Sequence, residues 1–343
     1  MRSTSCILCL FLVLPLVRAG EVEVRVKDRQ AEFRLKGELV TVYRFEPEAS
    51  KPYLWPLLAP GQMRVTRGYP IETDLPHETR DHVHHRSGWF CHGDVLAEGL
   101  NFAPSSDRHV KGVDFWSESK GHGKIVVTSA QVHEGTHLVT TNEWRDAAGV
   151  KVLDETRTLS LHEAAGGRLI VVDIRLEATV APLKFGDTKE GSFAVRVHDD
   201  LALNRKKPQS RLVNSSGGSG EGEVWGRFAD WCDYSGVVEG QHVGIALFDA
   251  PTNAHRAAWH ARGYGLMAAN PFGRKASGFP ARRGETQLVE IRRGELLRLR
   301  YGIFLHAGDE KKGRVTEAFE YFQRVPAVTL NPTPREGLNR REK

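Results

Sequence analysis

The sequence predicts an all-β protein: a large antiparallel two-sheet sandwich, supersandwich-like, with one short C-terminal helix. Three observations carry the prediction. Apolar and polar residues alternate with period two along most of the chain, turn-forming clusters separate the runs at hairpin spacing, and only one segment has helical periodicity. With 343 residues, 40% of them hydrophobic and 27% charged, the chain is long enough to bury a sizeable shared core between two sheets.

The N-terminus reads as a leader. Met1-Arg2-Ser3-Thr4-Ser5 runs into the apolar stretch Cys6–Val17, and Val17-Arg18-Ala19 fits the small-residue cleavage pattern of an export signal, so residues 1–19 are expected to be a signal peptide. The stretch is shorter than the roughly 20 residues a membrane span needs. Cys6 and Cys9 stand too early in it for a lipoprotein. The expectation is an exported protein, periplasmic or secreted, with no integral membrane span.

The first strands follow at once. Val22, Val24 and Val26 alternate with charges, Asp28-Arg29 makes a turn, and Ala31, Phe33 and Leu35 continue the pattern. Asp146-Ala147-Ala148-Gly149 and Ala165-Gly166-Gly167 are hairpin signals. From Arg168 to Val180 the even positions Ile170, Val172, Ile174, Leu176, Ala178 and Val180 are apolar, while Asp173, Arg175 and Glu177 face away. Asn214-Ser215-Ser216-Gly217-Gly218-Ser219-Gly220 is read as a long loop inside one domain, the alternative being two β domains joined there. Leu297, Leu299, Tyr301, Ile303 and Leu305 form the last strong strand. Val315, Ala318, Phe319 and Phe322 then fall at helical spacing between Arg314 and Arg324. Residues 20–326 are therefore expected to form a single β-sandwich domain, and the polar, Pro-containing residues 327–343 a disordered tail.

Removal of Arg2 and Arg18 with the leader lowers the formal charge from +5 to +3, with no basic block, so nucleic acid is not an expected partner. Cys91 and Cys232 remain, either as one disulfide or as two buried free thiols.

Candidate chemistry concentrates between Pro76 and Asp94, which holds five of the 15 histidines among carboxylates, arginines and a tryptophan. Imidazoles beside Asp and Arg suit acid/base work, with His85 and His92 as candidate bases and Arg86 and Trp89 as substrate contacts. His82 and His84, with Asp81, His92 and Asp94 near in sequence, could instead hold zinc, copper or iron, so a divalent metal is a candidate cofactor; their spacing matches no defined zinc pattern. A third reading is that several of these histidines only hydrogen-bond loop backbone. Downstream, Glu190 at a strand mouth beside Lys189 is a candidate general acid or base, and His198 a second candidate. Trp259, His260, Arg262 and Tyr264 supply rings and charges suited to a sugar groove, and Asn270 ends the buried run Leu266–Ala269 where it could reach backbone or ligand. Trp225 and Trp231 are assigned to the core.

The ordered series Arg80-Asp81-His82-Val83-His84-His85-Arg86, Trp89-Phe90-Cys91-His92-Gly93-Asp94, Lys189-Glu190-Gly191, Asn214-Ser215, Trp225-Gly226, Trp259-His260-Ala261-Arg262-Gly263-Tyr264-Gly265 and Asn270-Pro271-Phe272-Gly273 resembles a bacterial family labelled "methane oxygenase PmoA", or PmoA-like. The resemblance covers nearly all of the chain after the leader. Val83 stands where that family frequently has proline, and Ser87-Gly88 alters its Arg-Gly step. Particulate methane monooxygenase subunits are built from long apolar helices that this chain lacks, and the resemblance brings no catalytic assignments.

The functional expectation is a carbohydrate-active enzyme, a lyase or hydrolase acting on an oligo- or polysaccharide. His85 or His92 would be the base, Glu190 the acid, and Arg86 and Arg262 would neutralise substrate charge. The alternatives are a metal-dependent oxidoreductase using His82, His84, His85 or His92, which would agree with the family label, and a glycan-binding module without catalysis.

Overall fold

Hairpins with glycine-assisted turns build this molecule. In the longest of them, Lys151–Ala164 pairs with Gly167–Glu177 in unbroken antiparallel register, and Ala165 (φ 47°) and Gly166 (φ 79°) supply the two left-handed residues that a two-residue turn requires. The computed structural model describes residues 21–328; the expected signal peptide and nearly all of the expected tail lie outside them.

The first sheet runs, in spatial order, Val22–Lys27, Gln30–Leu35, Glu38–Arg44, Tyr53–Ala59, Gly88–His92, Gly191–Arg196, Leu266–Asn270 and Ala258–Arg262, with Met63–Arg64 paired to the fourth strand. The second runs Arg211–Asn214, Trp231–Val238, Gln241–Asp249, Leu296–Ala307, Gly167–Glu177, Lys151–Ala164, His137–Arg145 and Lys124–His133. A small third sheet joins Val289–Ile291, Leu183–Phe185 and Val95–Ala97. Pairing within all three is antiparallel, as the alternation predicts.

The two large sheets share one core. Phe193 stacks on Tyr301 across it at 4.8 Å, and Phe90 meets Trp144 at 5.9 Å. A buried ion pair on one strand of the second sheet lies in this interior: Arg157 Nε donates to Glu155 at 2.5 Å, and the Trp144 indole on the neighbouring strand donates to the other Glu155 oxygen at 2.6 Å.

The second sheet is apolar on both faces along part of its width. Ile170, Val172, Ile174 and Leu176 enter the shared core, as expected, but Leu169 and Val171 are buried as well. The reason is the helix Val315–Arg324, which lies where the sequence placed it and packs Val315, Ala318, Phe319 and Phe322 on the outer face of this sheet. Phe248 is the centre of that contact, 5.4 Å from Phe319 and 5.6 Å from Phe322.

Cys91 and Cys232 sit in different large sheets, and both are buried free thiols. Among the described residues no helix is long and apolar enough to cross a membrane.

Candidate functional site

Cross-strand register decides which side chains meet. Tyr53 lies opposite Trp89, Trp89 opposite Ala194, Ala194 opposite Ala268, and Ala268 opposite His260, which makes one transverse row on a single face of the first sheet. The flanking row contains Arg196, Leu266 and Arg262. Phe193 and Phe90 point the other way, into the shared core, so this row lies on the face turned away from it. Ala194 and Ala268 keep the floor low between Trp89 and His260.

Over that floor the segment Asp81–Arg86 lays its rings in a column. Tyr264 stacks on His82 (4.9 Å), His82 on His85 (4.7 Å) and His85 on Trp89 (5.2 Å). His84 and Trp116 meet His85 edge-on, at 4.4 and 5.7 Å. Two arginines with no exposed side-chain surface, Arg67 and Arg196, anchor the segment by both bonding Asp81 Oδ1, the Arg196 bond at 2.9 Å. Arg67 also donates to the carbonyls of Tyr69 and His82. On the other side Glu118 takes Lys51 Nζ at 2.8 Å and two nitrogens of Arg86 at 3.2 and 3.3 Å. Those cations hold the Glu118 carboxyl well below the usual carboxylate range although burial works to raise it.

Glu190 comes to the same face on the turn between the strands Leu183–Phe185 and Gly191–Arg196, and three anchors fix that turn. The Gly93 amide donates to the Glu190 carbonyl at 2.8 Å, so close that a Cβ on Gly93 would lie 2.9 Å from Glu190 Cβ. Asn270 Nδ2 donates to the carbonyls of Thr188 (3.0 Å) and Lys189 (3.1 Å), while its Oδ1 accepts from the amides of Phe272 and Gly273. Asp187 accepts from the amides of Arg274, Ala276 and Ser277.

The site's titrations are pushed apart. Burial favours a protonated Glu190, but His260, Lys189 at 2.7 Å and His84 outweigh it and hold this carboxyl below its ordinary range. Burial lowers His260 to about 4 against the pull of Glu190, and lowers His84 to about 4 with help from Lys51. Burial raises the Tyr264 phenol to about 12, and Glu190 adds to the effect. At neutral pH the site therefore holds an ionised Glu190, neutral His84 and His260 rings and a protonated Tyr264 phenol.

Hydrogen bonds sort the imidazole nitrogens. Arg196 Nη1 lies 3.4 Å from His85 Nδ1, and because a guanidinium can only donate, that nitrogen accepts and the ring proton sits on Nε2. Burial, aided by His84 and Arg196, drives His85 well below its ordinary pKa, so the ring is a neutral donor. His260 is supported by the Lys189 carbonyl and its Nδ1 has no partner, which leaves that nitrogen as a bare acceptor.

The structure thus gathers His82, His84, His85, Trp89, Glu190, His260, Arg262 and Tyr264 on one face. Other expected site residues lie apart from the column or are occupied by protein contacts. Trp259 precedes His260 on the strand and so points oppositely, into the core, where its indole donates to the Ala229 carbonyl at 3.0 Å. His92 is fully buried between Phe185 and Phe272, with Nε2 2.9 Å from the Gly186 carbonyl. His198 Nδ1 accepts the Asp200 amide beside a separate depression lined by Arg64, Glu78 and Arg205. Arg86 is committed to Glu118, and Asn270 is wholly occupied by backbone.

His82 and His84 pack ring against ring (5.7 Å), and among the described residues no group of three or more His, Cys, Asp or Glu side chains is arranged to hold a metal ion. The sequence reading missed Arg67, Arg196, Lys51, Trp116 and Glu118. For Arg196 a signal was present: a lone arginine in the otherwise apolar strand Phe193-Ala194-Val195-Arg196.

A family model described as "Family of unknown function (DUF6807)" matches residues 30–320. That match corrects the resemblance to the methane oxygenase family: the matching family is one of unknown function, and nothing found ties the chain to methane oxygenases. No curated protein matches. Among solved structures, the chain is similar to the galactosidase domain of an alpha-galactosidase–sucrose kinase, at 9% identity and TM-score 0.42, over 85% of this chain and 41% of that one. It is also similar to a polysaccharide lyase, at 14% identity and TM-score 0.35, over 80% of this chain and 33% of that one. The chain spans less than half the length of either, and likeness at this level carries no functional argument.

Proposed function

We propose that this chain, which belongs to the DUF6807 family of unknown function, is a carbohydrate-active enzyme that cleaves a glycosidic linkage at the face formed by Glu190, His260, Tyr264 and the ring column. The observation that carries the reading is the opposed protonation at that face: an ionised Glu190 beside the neutral His84 and His260 rings and a protonated Tyr264.

The charge states exchange the roles expected from sequence. Glu190, held ionised, is the base, and the bare Nδ1 of His260 is a second proton acceptor beside it. The Tyr264 phenol is the proton donor to the leaving oxygen. His85, with its proton on Nε2, donates a hydrogen bond and takes no proton. Arg262, partly exposed beside Glu221, is positioned to meet substrate hydroxyls or charge. The three anchors on the Glu190 turn keep the carboxylate in place, which general base catalysis demands.

The test is a panel of neutral and acidic oligosaccharides, assayed both for new reducing ends and for the ultraviolet absorbance of an unsaturated sugar. New ends with the absorbance identify elimination, and new ends without it identify hydrolysis. Glu190→Gln is expected to lower turnover by roughly 100-fold or more with the fold intact. No cleavage across the panel, or an undiminished Glu190→Gln variant, would overturn the proposal; binding without cleavage would make the chain a glycan-binding module.

A further inference from the structure

Three buried N–H donors in the ring column have nothing to donate to. Trp89 Nε1, Trp116 Nε1 and His85 Nε2 are all enclosed and without a hydrogen-bond partner, in residues 2%, 0% and 1% exposed. Indole nitrogen is a donor only, and Arg196 makes His85 Nε2 a donor as well. The three rings form a triangle with centroid separations of 5.2, 5.2 and 5.7 Å. Arg196 Nε, on the same face of the sheet, is a fourth buried donor without a partner.

A group of donors lacking any acceptor lacks an anion or a carbonyl. The surrounding charge favours the anion. Four cations flank the triangle, Lys51, Arg86, Arg67 and Arg196, and the carboxylates they are bonded to are Glu118 and Asp81. Burial keeps His84 and His85 neutral there, so the cations outnumber the carboxylates bonded to them. The bonds of Lys51 and Arg67 already go to protein groups, which leaves the ring donors and Arg196 Nε to make the direct contacts.

We infer that His85, Trp89 and Trp116, backed by Arg196, form the binding nest for a sugar carboxylate, so that the substrate of the proposed site is a uronate-containing glycan. A carboxylate offers about four lone-pair sites on two oxygens, which matches these donors in number and in sign. Two flat indoles beside it suit the apolar face of a sugar ring. In the conformation described the donors are shut from solvent, and the half-buried His84 ring, 4.4 Å from His85 and 6.5 Å from Trp116, is the cover that moves aside for the ligand. The inference rests on the proposed function, and it makes elimination next to the carboxylate the favoured chemistry there.

The experiment compares a uronate oligosaccharide with its neutral counterpart, by calorimetry and by NMR of protein carrying 15N-labelled tryptophan. The uronate is expected to bind at least roughly tenfold more tightly, and Trp116→Phe and Trp89→Phe, which delete one donor each and keep a ring, are each expected to lose roughly tenfold for the uronate alone. The indole resonances of Trp89 and Trp116 should shift on binding, while those of Trp144 and Trp259, already bonded to Glu155 and Ala229, should stay. The NMR arm does not depend on whether the variants fold. Equal affinity for the neutral glycan, or unmoved Trp89 and Trp116 resonances, would overturn the inference, the latter placing these donors on neighbouring ring faces. Cleavage without preference for uronates would remove the nest and leave the proposed function standing. Uronate binding with shifted indoles but no cleavage would do the reverse.

Discussion

Replacing Asn270 with alanine tests whether the turn that carries Glu190 depends on a single side chain. Asn270 is fully buried and makes four hydrogen bonds, two donated from Nδ2 to Thr188 and Lys189 and two accepted by Oδ1 from Phe272 and Gly273. At a net value of about 1 kcal/mol each, the loss comes to about 3–4 kcal/mol once partial relaxation is allowed for. Asn270→Asp separates the two pairs: its oxygens still accept the Phe272 and Gly273 amides, but they set negative charge against the Thr188 and Lys189 carbonyls. It should therefore be no more stable than the alanine variant. The assay is equilibrium urea unfolding followed by tryptophan fluorescence, with the slope of the transition checked for constancy between variants. A loss below about 1 kcal/mol for alanine, or an aspartate variant as stable as the parent, would refute the assignment of this side chain as the clamp.

Three further outcomes are expected. Gly93→Ala puts a Cβ 2.9 Å from both Glu190 Cβ and the Glu190 carbonyl, so it should cost about 1–3 kcal/mol and displace the base; unchanged melting and activity would contradict that contact. His260 takes its proton near 6.5 when unfolded and at about 4 when folded, because burial outweighs Glu190. Between those values the unfolded chain binds more protons, so His260's contribution is whole above pH 6.5 and is lost as the pH falls towards 4, by up to about 1.4 kcal/mol per unit; a His260→Phe variant with an unchanged pH–stability slope would count against it. Cys91, pushed up to about 12 by burial, and Cys232, also pushed well up by burial, should resist alkylation in the native protein and react on unfolding, as read by mass spectrometry; prompt labelling of either would contradict their burial.

Period-two alternation exposed most of the strands because one face of each is buried, and the C-terminal helix was legible because Val315, Ala318, Phe319 and Phe322 share a stripe. The histidine segment and Glu190 stood out because such side chains rarely fill cores. The same periodicity, applied more strictly, separates Trp259 from His260: neighbours on a strand face opposite ways, and His260 and Arg262, not Trp259, share the face that carries Trp89 and Arg196. Trp116 and Lys51 were illegible for another reason. They reach the site from segments without period, and their importance rests on contacts with His85 and Glu118, each more than 30 residues away in the chain, that no local pattern encodes.

The amphipathic C-terminal helix has a consequence for biosynthesis. Until the ribosome has released residues 315–324, the finished second sheet presents Val171, Phe248 and Phe304 as a bare greasy patch, and a chain cut short before Val315 would keep it permanently. Such a truncated product would meet its own kind through that surface, so the helix acts as a stopper over it.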